Sequence, residues 1–191
     1  IVVGHDARAS SPALKLALVD GLRDRGAGVI DIGLCGTEEV YFATGHLDAA
    51  GGIMVTASHN PIDYNGMKLV GPESRPIDPE SELPRIRALA EADSYDTRPI
   101  PGSYHATETR PAYAAHVAAM VDAGALRGFR VLANAGNGTA GAAFDAILAE
   151  LSARGAQIEV ERMFHDPDPA FPNGIPNPLL PENRGVTSDA V

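Results

Sequence analysis

The chain has few cations: 15 Lys and Arg stand against 25 Asp and Glu, which gives a formal net charge of −10 at pH 7. This balance argues against a nucleic-acid partner, because nucleic-acid phosphates need a basic face. Cysteine is nearly absent, and the single Cys35 rules out an internal disulfide and predicts a reducing compartment. The sequence also lacks a signal peptide and any apolar run long enough to span a bilayer. We therefore expect a cytoplasmic protein without membrane contact.

The remaining composition is that of an ordinary globular protein. Its 191 residues, 45% of them apolar, suffice for one large or two small domains with a buried core. The chain opens on a strand pattern, Ile1-Val2-Val3, without a preceding Met. It ends just after a helix-start signal at Thr187-Ser188-Asp189. We expect the sequence to be a fragment of a longer chain.

Apolar runs and helix-start signals alternate along the first half of the chain. Strands are predicted at residues 1–3, 29–32 and 53–55. Ser11 is predicted to cap one helix, with Pro12 in its first turn, and Thr37 to begin another. This order predicts an α/β fold in which a mixed, mostly parallel sheet is sandwiched by helices in three layers.

The second half repeats the strand–helix plan. Residues 94–112 are rich in Pro, Ser, Thr and Tyr and lack helical periodicity, which is typical of a linker. We predict two successive domains of the same three-layer class, at residues 1–103 and 104–191. The first is expected to lack an N-terminal part and the second a C-terminal part.

The segment Thr56-Ala57-Ser58-His59-Asn60-Pro61 follows an apolar strand and is the main candidate for a functional site. Pro61 prevents a helix and pushes Asn60 toward extended geometry, so Ser58 is expected on a stiff turn at a strand end. Ligands of open α/β sheets bind at such ends. Serine-hydrolase chemistry fits poorly, because no G-x-S-x-G turn is present and His59 is poorly placed as a base for the preceding serine. A phosphoryl carrier fits better.

Three charged residues are expected near Ser58. Lys68 lies across a turn that can fold it back beside the loop, either as a site cation and proton carrier or as a solvated edge-strand lysine. Asp6 and Arg8 follow the first strand. Arg8 could bind phosphate with Asp6 orienting it, or the two could form an ion pair that braces the loop.

Two segments of the second half carry weaker signals. The glycine-rich turn 134–141 could cradle a phosphate, but it has neither the P-loop lysine nor the G-x-G-x-x-G spacing, which favours a tight turn. Asp166-Pro167-Asp168 could suggest a metal site, but the rigid proline and the missing third acid favour a solvated turn.

Four stretches of the chain resemble the α-D-phosphohexomutases, enzymes that move a phosphate between positions 1 and 6 of a hexose. They are residues 2–8 with Ser10-Ser11-Pro12, residues 31–44, residues 51–70, and residues 134–141 with 171–183. They occur in the family's order over nearly the whole chain. The second and third look most like the bacterial phosphomannomutases that feed GDP-mannose synthesis.

The resemblance implies a four-domain isomerase acting on sugar phosphates, with a hexose 1,6-bisphosphate as intermediate and activator. Ser58 would carry the phosphate, an oxygen of which would bind Mg²⁺, and His59 and Lys68 would be the proton-transfer candidates. The substrate- or phosphate-binding residues would be Asp6, Arg8 and Asn60.

Several parts of the family pattern are missing from the chain. The aspartate-rich magnesium loop, the sugar-selecting loop and the terminal phosphate-binding loop would all follow Val191. We therefore expect the fragment to be inactive alone. The alternatives are a phosphoglucomutase, a dual-specificity mutase, or a noncatalytic sugar-phosphate-binding module. The oligomeric state is left open.

Overall fold

A computed structural model of the chain describes residues 1–92, 94 and 96–191. The first half is built on one sheet with the spatial order β4-β3-β1-β2-β5. Its strands are β1 (Val2–His5), β2 (Val29–Leu34), β3 (Gly52–Val55), β4 (Met67–Val70) and β5 (Tyr104–Ala106). All neighbours pair in parallel except β4, which is antiparallel to β3. The predicted mixed, mostly parallel sheet is confirmed.

Helices cover both faces of this sheet. Those of the first half are α1 (Ser11–Asp24), α2 (Thr37–His46) and α3 (Glu82–Glu91). Successive strand residues point to opposite faces, and the two fully buried residues Val2 and Val3 show the consequence. Val2 packs in a cluster with Val40 of α2, whereas Val3 packs in another with Val19 of α1. The three-layer arrangement is confirmed.

The face toward α2 is closely packed. A Cβ built on Gly52 would lie 2.2 Å from Oγ1 of Thr44, so only glycine lets α2 approach β3 this closely. Cys35 lies on the same face and is 1% exposed. Burial raises the pKa of its thiol far above the usual range, so Cys35 behaves as a small buried hydrophobe.

The chain leaves β1 and β3 in opposite directions across the sheet. From β1 it passes through α1 to β2 on one side, and from β3 it turns into β4 on the other. The point between two such strands is called the switch point of the sheet. Open α/β sheets bind their ligands there. The Asp6 N–H donates to the carbonyl oxygen of Val55 at 3.1 Å, so the loops after β1 and β3 begin side by side.

Strand β5 falls within the predicted linker 94–112, of which residue 95 lies outside the described residues. It pairs in parallel with β2, and the Tyr104 hydroxyl donates to Asp31 Oδ2 at 2.8 Å. Asp31 also accepts from Lys15 Nζ at 2.6 Å. Residues 104–106 thus extend the first sheet. The boundary between residues 103 and 104 stays a prediction.

The second half contains a parallel pair of strands, β6 (Arg127–Asn134) and β7 (Gln157–Met163), connected by helix α5 (Ala140–Ala153). Helix α4 (Arg110–Ala118) packs against α5, and a short helix, α6 (Gly185–Ser188), lies near the end of the chain. Arg110 at the start of α4 donates from Nε to Glu39 Oε1 of α2 at 2.9 Å. Glu39 is 2% exposed, so this buried ion pair ties the two halves together.

Candidate active site

Ser58 stands on an exposed turn just beyond β3. Its φ of 55° is left-handed, a conformation that serine rarely adopts. Its N–H donates to Thr56 Oγ1 at 2.9 Å. The next turn closes where the backbone N–H and the side-chain amide of Asn60 both donate to the Ala57 carbonyl, at 3.0 and 2.8 Å. The local bonds therefore fix the backbone and leave the Ser58 hydroxyl facing outward.

His59 is the only described side chain within hydrogen-bonding distance of the Ser58 hydroxyl. Its Nδ1 lies 3.3 Å from Ser58 Oγ. The expectation that His59 is badly placed for this serine is therefore wrong, because the left-handed turn brings adjacent side chains together. Within the described part of the chain the other ring nitrogen has no partner, so no acid orients the imidazole as in a hydrolase triad.

Arg8 lies beneath the Ser58 loop and is 2% exposed. Its Nη1 donates to the carbonyl oxygens of Pro61 and Tyr64 at 2.7 and 3.1 Å. Its Nη2 donates to those of Ser58 and Asn60 at 3.0 and 2.7 Å. The sequence left open whether Arg8 binds phosphate or braces the loop. These contacts are those of a residue that braces the loop.

Asp6 connects the ends of β1 and β3. Its Oδ1 accepts from the Arg8 N–H at 3.0 Å and from Ser11 Oγ at 2.5 Å, and its Oδ2 accepts from Thr56 Oγ1 at 2.7 Å. Oδ2 also lies 3.4 Å from Arg8 Nε. The amide of Asn65 donates to Ser11 Oγ at 2.9 Å and so joins this network.

Thr56, Ser11 and Asn65 support the site through side-chain hydrogen bonds that the sequence did not reveal, although Thr56 belongs to the segment predicted as the functional site. The only signal for Asn65 was its place in an Asn-Gly turn, where its Oδ1 indeed accepts from the Gly66 N–H at 2.8 Å. The predicted capping role of Ser11 is wrong: the helix cap is Ser10, and Ser11 is fully buried because its hydroxyl binds Asp6.

Lys68 lies on β4 opposite Met54 of β3. Because the preceding Met67 pairs with Val55, the turn between the strands returns Lys68 toward the end of β3 from which the Ser58 loop departs. Lys68 is partly buried, and its amine has no hydrogen bond or ion pair among the described residues. Strand β4 is also an edge strand of the sheet. The position therefore fits both a cation of the site that carries protons and a solvated edge-strand lysine.

The glycine-rich turn of the second half is closed by its own contacts. The N–H groups of residues 135–138 donate in succession to Met163 O, Asn134 Oδ1, Phe164 O and Ala135 O, at 2.7 to 3.1 Å. Gly136 and Asn137 have φ values of 57° and 56°. Protein acceptors occupy these four donors, as in a tight turn, whereas the N–H groups of Thr139, Ala140 and Gly141 have no acceptor among the described residues.

No metal site forms within the part of the chain that the structure describes. That part holds no group of three or more His, Cys, Asp or Glu able to bind a metal ion. Asp166 is exposed, and Asp168 Oδ1 accepts from the Ala170 N–H at 2.8 Å, as expected of a solvated turn.

Fold and site together define an α/β protein with an exposed serine at the switch point of its sheet. Residues 1–97 match the family model described as phosphoglucomutase/phosphomannomutase, alpha/beta/alpha domain I, and residues 111–191 match the model for domain II. The chain belongs to the phosphoglucomutase/phosphomannomutase family. The resemblance found in its sequence is confirmed.

Curated relatives match over the whole chain. A protein of Xanthomonas campestris pv. campestris named "Phosphohexose mutases" is 52% identical over 191 residues. Proteins named "Phosphomannomutase" from Salmonella typhimurium strain LT2 and Escherichia coli K12 are 50% and 49% identical over 193 and 195 residues. All three alignments cover 100% of this chain and 42% of the relative. The chain spans about two-fifths of the length of these relatives.

Solved structures agree with the fold. A phosphoglucomutase/phosphomannomutase family protein from Burkholderia thailandensis superposes with a TM-score of 0.80 at 31% identity, over 96% of this chain and 39% of the other. A structure from Thermus thermophilus gives 0.82 at 31% identity, over 99% and 42%. Among the described residues, no helix is both long and apolar enough to cross a membrane. A cytoplasmic location stays a prediction.

Proposed function

We propose that this chain is the phosphoserine-bearing part of a phosphomannomutase that interconverts mannose 6-phosphate and mannose 1-phosphate. The observation that carries the proposal is the Ser58 hydroxyl, exposed at the switch point on a loop whose backbone is held from below by Arg8. The relatives named phosphomannomutase support the choice of sugar. A carrier serine needs an accessible oxygen on a fixed backbone, because phosphoryl transfer depends on in-line positioning.

The proposed reaction has two transfers. In the first, a hydroxyl oxygen of the sugar phosphate attacks the phosphorus of phosphoserine 58, and the bond between phosphorus and Ser58 Oγ breaks. The sugar becomes a hexose 1,6-bisphosphate, and Oγ takes up a proton. After the bisphosphate reorients, Ser58 Oγ attacks its other phosphate and loses its proton. The bond between that phosphorus and the sugar oxygen breaks, the sugar oxygen takes up a proton to become a hydroxyl, and the phosphoserine is restored. Atoms and charge balance over the cycle, which moves the phosphate between positions 1 and 6.

Proton transfer is proposed for His59 and Lys68. The imidazole of His59 lies 3.3 Å from Ser58 Oγ and can hold the proton that this oxygen gains and loses. The Lys68 amine, without a partner among the described residues, is free to receive the proton of the attacking sugar hydroxyl.

Phosphate contacts form a further part of the proposal. One N–H of the Asn60 side-chain amide binds Ala57 O, which leaves its second N–H for a phosphate oxygen. Asp6 accepts hydrogen bonds from Ser11 at the start of α1 and from Thr56 after β3, so its part is to hold these two residues together. Mg²⁺ would neutralise phosphate charge when bound to the phosphoserine. Its other ligands are not among the described residues.

The test is peptide mass spectrometry on the full-length gene product after incubation with Mg²⁺ and mannose 1,6-bisphosphate. We expect one phosphate on Ser58, none in the Ser58→Ala variant, and at least about a thousandfold less turnover in that variant. Ser81→Ala is the matched control, because Ser81 is also an exposed serine and its hydroxyl binds only Asp78. Wild-type-like turnover by Ser58→Ala would refute the carrier mechanism.

The same experiment separates the alternatives. Faster turnover of glucose 1-phosphate than of mannose 1-phosphate would indicate a phosphoglucomutase, and similar rates would indicate a dual-specificity mutase. Sugar-phosphate binding that survives Ser58→Ala, in a protein that never becomes phosphorylated, would indicate a noncatalytic binding module.

A further inference from the structure

We propose that Arg8 is a positioning residue for the phosphoryl-carrying loop, and that it binds no phosphate itself. It turns the carbonyl groups of the loop inward, which points the intervening backbone N–H groups to the outer side, where a phosphate on Ser58 would lie. The inference rests on the proposed function of Ser58 but concerns a different residue and a different property, the conformation of the loop before any phosphate is bound.

The guanidinium of Arg8 binds the loop through both of its terminal nitrogens. A guanidinium has five N–H donors. Four of the Arg8 donors meet the carbonyl oxygens of Ser58, Asn60, Pro61 and Tyr64, at 2.7 to 3.1 Å. The fifth, on Nε, is buried without a hydrogen-bond partner and lies 3.4 Å from Asp6 Oδ2. With Arg8 only 2% exposed, no donor is left for a phosphate on the outer side.

Peptide geometry links these contacts to the outer side of the loop. In a trans peptide the C=O and the N–H of the next residue point in opposite directions, and the described chain has no cis peptide. Because the Ser58 and Pro61 carbonyls point at Arg8, the N–H groups of His59 and Ile62 point away from it. Neither N–H donates to an acceptor among the described residues. Both are available to phosphate oxygens.

Lysine could not replace arginine in this role. The four carbonyls span residues 58 to 64 and are divided between two guanidinium nitrogens. A lysine amine is a single point with three donors, and it lacks the planar fork that reaches both sides at once. The position therefore needs the shape of arginine as well as its charge.

Hydrogen exchange tests the loop directly, in the full-length unphosphorylated protein without sugar phosphate. We expect exchange in residues 56–66 to rise about tenfold or more in Arg8→Lys and Arg8→Ala, with little change in α5. Guanidinium ion at about 50 mM, far below denaturing concentrations, should restore protection in Arg8→Ala by filling the vacated site. Arg75→Lys and Arg75→Ala are the controls, because Arg75 is an exposed arginine of the same sheet region paired with Glu82.

Kinetics distinguishes positioning from phosphate binding. For Arg8→Lys we expect kcat to fall about tenfold or more while the KM for mannose 1-phosphate changes less than about threefold. A KM that rises with kcat unchanged would overturn the proposal. So would loop exchange equal to that of the wild type, or exchange that rises evenly across both halves. Since the exchange experiment needs no phosphoserine, it stands even where the proposed mutase activity fails.

Discussion

Two strand-end turns, at Ser58 and at Asn137, each hold a non-glycine residue in the left-handed conformation, and they differ in what their backbone N–H groups bind. In the Ser58 loop, the N–H groups of His59 and Ile62 have no acceptor among the described residues. In the glycine-rich turn, the four N–H groups of residues 135–138 all donate to protein acceptors. The N–H groups of Thr139, Ala140 and Gly141, at the start of α5, have no acceptor among the described residues, so the two turns differ in which of their donors the protein occupies.

The two turns differ in the side chains that hold them. The Ser58 loop is held by a buried side chain from another strand end, Arg8, which binds carbonyls and leaves N–H groups free. The second turn is held by its own Asn137, whose Nδ2 donates to Asp166 O at 3.0 Å and whose Oδ1 accepts from Asn173 at 2.8 Å. In the Ser58 loop the bracing bonds use carbonyl groups, whereas in residues 135–138 of the second turn they use the N–H groups themselves.

The largest contrast is expected from adding one methyl group to each turn. A Cβ on Gly141 would lie 2.3 Å from the carbonyl oxygen of His165, so Gly141→Ala should lower the free energy of unfolding by about 2 kcal/mol. A Cβ on Gly66 would meet only Thr56 O, at 3.5 Å, so Gly66→Ala should change it by less than about 0.5 kcal/mol. Urea unfolding measures both. Equal losses would show that the second turn is no more tightly closed than the first.

Replacing the left-handed residue by glycine should change the free energy of unfolding in opposite directions in the two turns. Ser58→Gly relieves the strain of φ 55° and should raise the free energy of unfolding by about 0.5–1 kcal/mol while abolishing phosphorylation. Asn137→Gly relieves little strain, because Asn tolerates this conformation, and removes two hydrogen bonds. It should lower the free energy of unfolding by about 1–2 kcal/mol. Stabilisation by both variants would mean that Asn137 does not hold its turn.

Much of the first half could be predicted from the sequence because its signals are local. Short apolar runs marked β1, β2 and β3, and Pro61 with the preceding residues marked the turn that presents Ser58. Strand β5 was missed because it has three residues, all exposed, and depends on pairing with β2 far back in the sequence. No periodicity can appear over so short a segment.

From the sequence, Arg8 could be expected either to brace the loop or to bind phosphate, and nothing in the sequence decided between the two roles. Its partners are backbone carbonyls 50 to 56 residues away, and a carbonyl is present whatever the side chain. The sequence therefore carries no residue-type signal for these bonds. Ser11 shows the same limit: its neighbours indicate a cap, but its hydroxyl binds Asp6, and only the folded sheet brings the two together.

The smallest predicted effect is a loss of folding stability at low pH. Burial opposes the ionisation of Asp145, but hydrogen bonds from Arg162 and His165 outweigh it and lower the pKa of Asp145 below its usual value. A lowered folded-state pKa stabilises the fold above about pH 4, and this contribution disappears as the pH falls through the folded-state pKa. His165 packs against Gly141, so the loss affects the second turn.

We therefore expect acid to weaken the second turn. The wild type should exceed Asp145→Asn by roughly 0.5 kcal/mol in unfolding free energy at pH 6, a small difference because the carboxylate is 42% exposed and screened by solvent. The difference should shrink toward zero at pH 3, measured by urea unfolding at both values. An advantage that persists undiminished at pH 3 would show that Asp145 acts through packing and not through charge.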